Sequence, residues 1–336
     1  MGMRWLITGG CGFIGRNLIR NLIAEGGHRI RVIDNLSVGT RADLSRVCTF
    51  SEVRPESLGK EKETGDVDVT LIVGDILDSD LAEKASADID VNVHLAANTG
   101  VAPSVENPRQ DCLTNVIGTL NYMEAARHNH IKRFIFASSG APVGLCEPPI
   151  HEEIAPHPVS PYGASKLSGE GYCSAYFQTF GVATVYLRFG NVYGPLSGHK
   201  SSVVARFIRR ALRGETLEIY GDGKQTRDFI YVDDLVRAMK LAALTDGIGG
   251  EGFQIATGFE TTVAELVEKL LPILRSQGIP EVRVCNMAPR LGDVKRNFSD
   301  TTKARLKLGW QAEVTLSEGL ARTTEWFMNN MEHDGL

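Results

Sequence analysis

Tyr162 and Lys166, in the segment SPYGASK, are a tyrosine and a lysine at a spacing that could support acid–base chemistry. The segment has helical character, so side chains four residues apart project from one face. A tyrosine ionises at about pH 10 and is a poor base at neutral pH, but a neighbouring ammonium group lowers the pKa of its phenol. Tyr220 and Lys224 repeat the spacing around Gly-Asp-Gly, which favours a turn. The spacing alone is therefore weak evidence.

A glycine-rich turn, TGGCGFIG, follows the first apolar run and opens a helix-like segment. Gly9, Gly12 and Gly15 let the backbone approach a pyrophosphate, which the start of a helix attracts. Their spacing is GxxGxxG, which differs from the usual GxGxxG fingerprint. Asp34 ends the second apolar run, where a carboxylate can bind an adenosine ribose and repel a 2′-phosphate, so NAD is favoured over NADP. Asp75, after the third run, could reach the adenine edge or only cap its own loop.

Short apolar runs that resemble buried strands alternate with helix-like segments in the first half of the chain. The runs are RWLITG, RIRVIDN, VTLIVGD, VNVHLAA, RFIFASS and ATVYLRFGN, and the segments between them include FIGRNLIRNLIAEG and TNVIGTLNYMEAARHN. This alternation predicts an α/β fold class with a Rossmann-like, doubly wound parallel sheet. After about residue 190 the pattern loosens. We predict a NAD-binding domain over 1–190 and a smaller C-terminal substrate-binding lobe over 191–336, interleaved with the first.

The composition is that of an ordinary globular protein, with 43% hydrophobic and 23% charged residues. A net charge of −5 gives no electrostatic reason to expect nucleic acid or an anionic membrane as a partner. Six scattered cysteines without CxxC spacing do not favour a metal site or a disulfide framework. The N-terminus runs straight into the first predicted strand, and no apolar run approaches membrane-spanning length, so the expected location is the cytoplasm.

The motifs also follow one another in a known order: TGGCGFIG, Asp34, HLAA, Ser139, the Tyr162/Lys166 pair and RFGNVYGP. From about residue 3 to the C-terminal segment the chain resembles the extended short-chain dehydrogenases/reductases, and within them the nucleotide-sugar epimerases and dehydratases. The resemblance implies a tightly bound NAD that is regenerated in each turnover, whose positive ring would also lower the pKa of Tyr162. The residues expected at NAD are Gly9, Gly12, Phe13, Ile14, Gly15, Asp34, Asn35, Asp75, Ile76, Leu95, Ala96, Ala97, Asn115, Tyr162 and Lys166.

The segment SSGAPVG ends the fifth predicted strand. In the family a Ser/Thr-rich segment leads there to Val-Tyr-Gly, and this chain has proline and valine in place of the valine and tyrosine. The resemblance makes Ser139 the catalytic hydroxyl that binds the sugar 4-oxygen and passes its proton toward Tyr162, while Ser138 supports the turn. The alternative is that Ser139 only forms the turn. Relatives that eliminate water or decarboxylate have an acidic residue next, whereas this chain has Gly140 and Ala141. A 4-epimerisation, oxidation at C4 and reduction back, is therefore the expected reaction.

Residues in the second half match the family's contacts to the substrate. Arg227 and Arg290 match arginines that bind the diphosphate, for which guanidinium forks are suited, although either could instead form a surface ion pair. Asn191 matches an asparagine near the sugar–phosphate link, and Tyr220 an aromatic residue beside uracil, which suggests a UDP-sugar. The expected substrate contacts are Thr99, Ser139, Asn191, Val204, Tyr220, Arg227, Arg290, Asp293 and Asn297.

The sugar is less constrained than the nucleotide. Some UDP-glucose-restricted epimerases have a bulky tyrosine on the C2 side of the pocket, and Asn297 stands at the best-matching position, so an N-acetyl group would fit. Glucuronate 4-epimerases often have a basic residue where this chain has Ala102, which disfavours a carboxylate substrate. The expected substrates are UDP-glucose and UDP-galactose or their N-acetylhexosamine forms.

A homodimer is a further implication of the resemblance. Val116, Ile117, Leu120 and Met123 lie on one face of a predicted helix. In the family this helix and the helix after SPYG pair across a two-fold axis into a four-helix bundle. The alternative is that the apolar stripe packs only on the sheet.

Other functions share the predicted fold. A UDP-glucuronate 4-epimerase is one, and an NDP-4-keto-sugar reductase is another; the reductase would consume NAD(P)H stoichiometrically, so dependence on added cofactor separates it from an epimerase. A non-catalytic NAD-binding protein is favoured by the unusual SSGAPVG segment and disfavoured by the intact Tyr162/Lys166 pair.

Overall fold

The structure is a computed structural model that describes residues 2–58, 68–279, 281–289 and 294–330. Its strands are β1 (Arg4–Thr8), β2 (Arg29–Asp34), β3 (Ser51–Glu52), β4 (Val69–Val73), β5 (Val91–His94), β6 (Arg133–Ser139), β7 (Thr184–Phe189), β8 (Asn191–Tyr193), β9 (Leu217–Tyr220), β10 (Thr226–Arg227), β11 (Phe229–Tyr231), β12 (Glu251–Ile255), β13 (Thr261–Thr262) and β14 (Val284–Met287). Its helices are α1 (Phe13–Glu25), α2 (Arg41–Ser45), α3 (Ser79–Ala85), α4 (Val101–Glu106), α5 (Pro108–Cys112), α6 (Gly118–His128), α7 (Pro161–Phe180), α8 (Val203–Leu212), α9 (Val232–Leu244), α10 (Val263–Ser276), α11 (Thr302–Leu308) and α12 (Leu316–Asn329), with a 3-10 turn at Pro55–Ser57 and a π-helical segment at Leu113–Ile117.

An eight-stranded sheet has the order β12-β7-β6-β5-β1-β2-β4-β3. The pairs β1–β2, β1–β5, β2–β4, β3–β4 and β5–β6 are parallel. The predicted α/β fold class is confirmed, and the six predicted strands are β1, β2, β4, β5, β6 and β7. Their nearly continuous apolar sequences suit strands that are covered on both faces.

The chain order reverses beside β1, which has β2 on one side and β5 on the other. In open parallel sheets, ligands bind beyond the carboxyl ends of the strands at such a switch point. The register places Thr8, the last residue of β1, opposite Ile33 and His94. The glycine-rich turn leaves β1 at this point.

Helix α7 packs against β6. Ser160 caps its N-terminus by accepting the N–H of Gly163 at 3.1 Å, and Gly181, with a φ of +71°, ends it. The prediction that Tyr162 and Lys166 share a helix is confirmed. The other pair with this spacing follows β9 into a turn, as its glycines indicated.

A single helical stretch over 108–128 changes its geometry in the middle. Helix α5 leads into the π-helical segment, which continues as α6. The sequence predicted a regular helix here, and π-helical turns often mark functional positions. Of the predicted apolar stripe, Met123 is fully buried whereas Ile117 is 40% exposed, so the stripe does not form one uniform surface. The dimer interface stays a prediction.

Contacts group the chain into two compact units. The first contains 1–145, 153–188 and 238–253; the second contains 146–152, 189–237 and 254–336. The domain limits predicted from the sequence stay a prediction, because a compact unit is not in itself an independently folding domain. No helix within the described residues is long and apolar enough to span a membrane.

The second unit has a core of its own. Strand β8 pairs with β11 and β9 with β14 in parallel, and β10 pairs with β13 in antiparallel orientation. Phe207, Leu217, Leu270 and Phe327 are buried together in its apolar core. These short pairs carry several of the predicted substrate residues.

Two glycines of α7 provide a matched test of its packing on β6. A Cβ on Gly169 would lie 2.3 Å from the Phe136 ring, whereas a Cβ on Gly171 meets nothing within 4 Å. We expect Gly169→Ala to lower the free energy of unfolding by about 1–3 kcal/mol through overpacking. Gly171→Ala should raise it by about 0.5–1 kcal/mol because alanine favours the helix. Urea unfolding of both variants measures the effects, and equal changes would contradict this packing.

Candidate functional site

The glycine-rich turn lies between β1 and α1. Gly9 has a φ of +70°, and its N–H donates to the carbonyl of Ile33 at 2.7 Å. A Cβ on Gly9 would lie 2.8 Å from the nitrogen of Ala96, so glycine is required by both conformation and space. Gly15 approaches Gly10 so closely that a Cβ would lie 2.6 Å from the Gly10 Cα. The turn therefore presents backbone rather than side chains at this edge.

The N-terminus of α1 is open to an anion. Gly12 is the N-cap residue and has no side chain to cap the helix, and the first turn contains no acidic residue. Its N–H groups and the helix dipole favour a negative ligand such as a pyrophosphate. In this turn Phe13 is buried and Ile14 is half-buried.

Asp34 ends β2 and is 9% exposed. Its Oδ2 accepts the N–H of Cys11 at 2.9 Å, and its Oδ1 accepts that of Leu36 at 2.9 Å. Burial raises the pKa of Asp34 above its ordinary value, whereas the two N–H groups and the charge of Arg16 lower it. Each oxygen can accept a further hydrogen bond, so this carboxylate can still bind ribose hydroxyls.

Asn35 and Asp75 join the neighbouring ends of β2 and β4. The Nδ2 of Asn35 donates to Oδ2 of Asp75 at 2.9 Å, and Oδ1 of Asp75 accepts the N–H of Leu77 at 2.9 Å. Asp75 therefore caps its own loop, and its contact with adenine stays a prediction. Ile76 is buried beside this loop, and residues 95–97, half-buried, follow β5.

The structure brings the three predicted catalytic residues together. Ser139 ends β6, and its side chain lies beside that of Tyr162, in the first turn of α7. Lys166, one turn later, is 3% exposed, and its Nζ donates to the carbonyl of Ala137 at 2.9 Å. The same Nζ lies 4.9 Å from the ring centroid of Phe136 and 5.9 Å from that of Tyr162. Their catalytic roles stay predictions.

Burial controls the protonation of this pair. It raises the pKa of Tyr162 above its ordinary value, against the lowering effect of the Ser139 hydrogen bond. We had expected the ammonium to lower the pKa of Tyr162, but in the protein alone the desolvation of the phenol is the larger effect. Burial also lowers the pKa of Lys166 to about 8. The two pKa values move apart, so in the protein alone the ammonium of Lys166 loses its proton at a lower pH than the phenol of Tyr162 does.

Ser138 differs from its prediction. We expected it to support the SSGAPVG turn, but its hydroxyl donates to Oε1 of buried Glu170 at 2.6 Å. Glu170 also accepts two bonds from Arg188, at 2.8 and 2.7 Å, in a pair of which each side chain is 3% exposed. The turn is supported instead by Ser139, whose Oγ accepts the N–H of Ala141 at 3.1 Å. Adjacent side chains alternate across a strand, which accounts for the two directions.

Asn115, in the π-helical segment, is the centre of a polar network. Its Oδ1 accepts the N–H of Asn98 at 2.8 Å. Its Nδ2 donates to Oδ1 of Asp111 at 2.9 Å and to Oγ of Ser165 at 3.1 Å. The sequence predicted Asn115 but missed the other three, although 111 and 115 have helical spacing. Thr99 follows Asn98 in the loop after β5, and it is exposed.

The second unit holds the other predicted substrate residues. Arg227 donates from Nη1 to the carbonyls of Thr226 and Val294, at 2.6 and 2.7 Å. Asn297 is tied to the same strand, since its N–H donates to Oγ1 of Thr226 at 3.1 Å. Arg227 is part of β10, and Asn297 lies beside this strand. Their contacts with a substrate stay predictions.

Tyr220 ends β9, and the guanidinium of Arg206 lies 5.3 Å from its ring centroid. Asn191, at the start of β8, is exposed. Val204 is 1% exposed in the core of this unit and its side chain packs there, so its contact with a substrate stays a prediction. Arg290 and Asp293 lie outside the described residues.

Residues 5–256 match the NAD dependent epimerase/dehydratase family. The chain belongs to this family. A UDP-glucose 4-epimerase from Mycolicibacterium smegmatis is 36% identical over 98% of this chain and 100% of its own length. Members of the epimerase/dehydratase family are extended short-chain dehydrogenases/reductases, so the resemblance inferred from the motifs is confirmed.

Two solved structures of the epimerase/dehydratase family have the same fold. A UDP-glucose 4-epimerase from Thermotoga maritima, with UDP-glucose, is 37% identical, with a TM-score of 0.85 over 98% of this chain and 100% of that one. A dTDP-glucose 4,6-dehydratase from Streptomyces venezuelae, with NAD bound, is 30% identical, with a TM-score of 0.84 over 98% of each chain. Both epimerases and dehydratases are therefore among the relatives.

The cofactor of this epimerase/dehydratase family protein is NAD, as predicted. The residues present fit it: glycines where a Cβ would collide, an uncapped helix N-terminus, and a carboxylate with free acceptor capacity at the end of β2. Gly9, Gly12 and the first turn of α1 would hold the pyrophosphate, and Asp34 the ribose.

Removal of the Asp34 charge should weaken NAD binding. We expect Asp34→Asn to raise the Kd for NAD by about tenfold or more, because charge-assisted hydrogen bonds to hydroxyls are lost. Calorimetric titration of NAD into cofactor-free protein measures it. The control is Asp88→Asn, which removes a carboxylate whose side chain is 84% exposed. Equal affinities in all three proteins would show that Asp34 does not contact the cofactor.

The two adjacent serines should separate into different functions. Ser139→Ala should lower kcat by about a hundredfold, the usual effect of a proton-transfer group. Ser138→Ala should leave kcat near that of the unmodified protein and lower the free energy of unfolding by about 1–2 kcal/mol, since Glu170 loses a buried donor. Steady-state kinetics and urea unfolding test both effects. A greater kinetic loss for Ser138→Ala would contradict the assigned directions.

Proposed function

We propose that this protein is an NAD-dependent 4-epimerase of a UDP-hexose. The side chain of Ser139 lies beside that of Tyr162, and the turn that follows Ser139 has no acidic residue; this arrangement is the observation that carries the proposal. The similarity to UDP-glucose 4-epimerases over nearly the whole chain supports it.

The turn after Ser139 favours epimerisation over dehydration. The N–H of Val143 donates to the carbonyl of Gly140 at 3.3 Å, and that of Ala141 to Ser139, so this is a tight backbone turn. Loss of water from a 4-keto sugar needs an acid to protonate the leaving hydroxyl, and neither Gly140 nor Ala141 can supply a proton. Similarity to a dehydratase is therefore consistent with a common fold and cofactor but a different second step.

Each catalytic side chain has one task in the proposed reaction. Tyr162 accepts the proton of the sugar 4-hydroxyl, and Ser139 holds the 4-oxygen and relays that proton. Lys166 supplies positive charge beside the phenol. Bound NAD supplies the hydride acceptor and, after the sugar has turned its opposite face, the hydride donor. The protein must retain the 4-keto sugar while it turns, and binding of the diphosphate of the substrate would retain it.

The diphosphate end is assigned to the second unit. We infer that Arg227 and Arg290 bind the diphosphate, Asn191 the sugar–phosphate link and Tyr220 the uracil. Arg227 keeps its fork in place by donating to two carbonyls, which restricts its rotamers before a substrate arrives. Asn297 leaves room for an N-acetyl group, so both hexoses and N-acetylhexosamines are proposed substrates.

A homodimer is part of the proposal. Exposed apolar side chains lie on α4 and the π-helical segment: Val101, Val105, Leu113 and Ile117 are 51%, 60%, 40% and 40% exposed. Coverage of such a patch by a second copy would remove it from water. Size-exclusion chromatography with light scattering measures the mass.

UDP-glucuronate epimerisation is the second candidate, and the sequence feature against it is Ala102 in place of a basic residue. A 4-keto-sugar reductase is a third, and it would require a stoichiometric supply of NAD(P)H. Neither has a supporting contact of its own among the described residues.

Product analysis tests the reaction directly. The purified protein, without added NAD, is incubated separately with UDP-glucose, UDP-N-acetylglucosamine and UDP-glucuronate, and the products are identified by proton NMR. We expect the C4 epimer of at least one of the first two. Tyr162→Phe is the control and should give no product while remaining folded.

Other outcomes separate the alternatives. A new C6 methyl signal with loss of the C6 hydroxyl would indicate dehydration. Turnover limited to UDP-glucuronate would move the assignment to that sugar. No product, either with or without added NAD, would overturn the epimerase proposal for these sugars.

A further inference from the structure

Asp111, on α5, is a buried carboxylate outside the predicted catalytic and binding residues. It is 1% exposed, and its Oδ1 accepts a hydrogen bond from Nδ2 of Asn115 at 2.9 Å. Within the described ranges no group donates a hydrogen bond to its Oδ2. Burial of a carboxylate oxygen without a donor is unfavourable, so a nearby positive charge is expected to offset it.

The compensating charge comes from α7, the helix that packs against α5, and is that of Lys166. This ammonium is 3% exposed and is bonded to a neutral carbonyl, that of Ala137. The ionisable groups that act on it are Asp111 from α5, Glu170 from α7 and His94 from β5. His94 is neutral, because burial lowers its pKa to about 3.

Glu170 is already engaged by another cation. Both of its oxygens accept hydrogen bonds from Arg188, and Oε1 also accepts one from Ser138. The guanidinium of Arg188 therefore largely balances the charge of Glu170, which leaves a smaller effect on Lys166. Asp111 has no such guanidinium bonded to it in the part of the chain that the structure describes, so its charge remains to balance the ammonium.

The direction of the electrostatic effect agrees with this assignment. Burial lowers the pKa of Lys166 to about 8. Two carboxylates raise this pKa, and the effect of Asp111 is larger than that of Glu170. Removal of Asp111 would let that pKa fall further, and the ammonium would be lost nearer to neutral pH. Tyr162 is the other ionisable group here, and Asp111 raises its pKa as well.

Asp111 also helps, together with the backbone of Asn98, to orient an amide that is part of the predicted cofactor site. A carboxylate only accepts hydrogen bonds, so the NH₂ group of Asn115 faces Asp111. The carbonyl of Asn98 accepts from the same NH₂ group at 2.9 Å, and Oδ1 faces the N–H of Asn98. The same NH₂ group donates to Ser165, whose hydroxyl donates to the carbonyl of Tyr162 at 3.0 Å. Asp111 is thereby connected to the helical turn that carries the base.

We propose that Asp111 is a positioning residue for the reaction: it orients the Asn115 amide and supplies the counter-charge of the Lys166 ammonium. The catalytic part of this proposal rests on the proposed function, whereas the ionic part concerns the chain alone. The experiment therefore measures Lys166 itself.

The test is an NMR titration of the full-length protein labelled with ¹³Cε-lysine, with and without NAD. Lys166→Arg identifies the signal of Lys166. In the unmodified protein we expect a midpoint at about pH 8. Asp111→Asn, which keeps the shape and an acceptor but removes the charge, should lower that midpoint by about one unit. Glu106→Gln, at the exposed end of α4, is the matched control and should leave it in place.

A rate measurement extends the test to catalysis. With the UDP-sugar that reacts, the alkaline limb of the pH–kcat profile should move to lower pH in Asp111→Asn by the same interval as the lysine midpoint. A merely structural role would lower kcat or stability without moving this limb. If no UDP-sugar reacts, the proposed function fails but the lysine titration still decides the ionic part.

Three outcomes would overturn the proposal. One is an unchanged Lys166 midpoint in folded Asp111→Asn, and another is an equal shift in Glu106→Gln. Asp111→Ser, smaller and neutral, replaces the asparagine variant if that one does not fold. If neither variant has a cooperative thermal transition, Asp111 is a structural group and not a positioning residue.

Discussion

Burial of charge between β6 and α7 is the constraint on which the site depends. An ammonium, a carboxylate and a guanidinium lie here almost without contact with water: Lys166, Glu170 and Arg188 are each 3% exposed. Ions in such a place must be paired or bonded to dipoles, because their desolvation is otherwise too unfavourable. Helix α7 approaches Phe136 closely at Gly169, which excludes water from this interface. The hydrogen bonds of Ser138 to Glu170 and of Lys166 to the carbonyl of Ala137 stabilise the buried charges.

The same burial gives the site its chemistry. Tyrosine and lysine have ordinary pKa values above the neutral range, and only lysine is moved toward it by desolvation. The pKa of the lysine, about 8, thus lies near neutral pH, while the phenol stays protonated in the protein alone. In the proposed reaction, a bound substrate and an oxidised cofactor would lower the pKa of the phenol, which would limit proton transfer to the complete complex.

Local signals made much of the fold predictable from the sequence. The glycine turn, Asp34, and the helix with Tyr162 and Lys166 depend on neighbours in the chain, and the six strands are marked by their apolar composition. The π-helical segment has no such local signal, and its Asn115 contacts Asn98 and Ser165, which lie 17 and 50 residues away in the chain. The direction of Ser138 depends likewise on a carboxylate 32 residues away.

The cluster of Ser138, Glu170 and Arg188 has a consequence for sequence divergence within the family. Replacement of either charged residue alone leaves its partner ionised in the interior, so single-step changes at these positions lead through an unstable intermediate. Joint replacement by neutral residues of similar volume avoids that intermediate. The three positions should therefore covary among homologues, even though they come from a strand, a helix and the following strand.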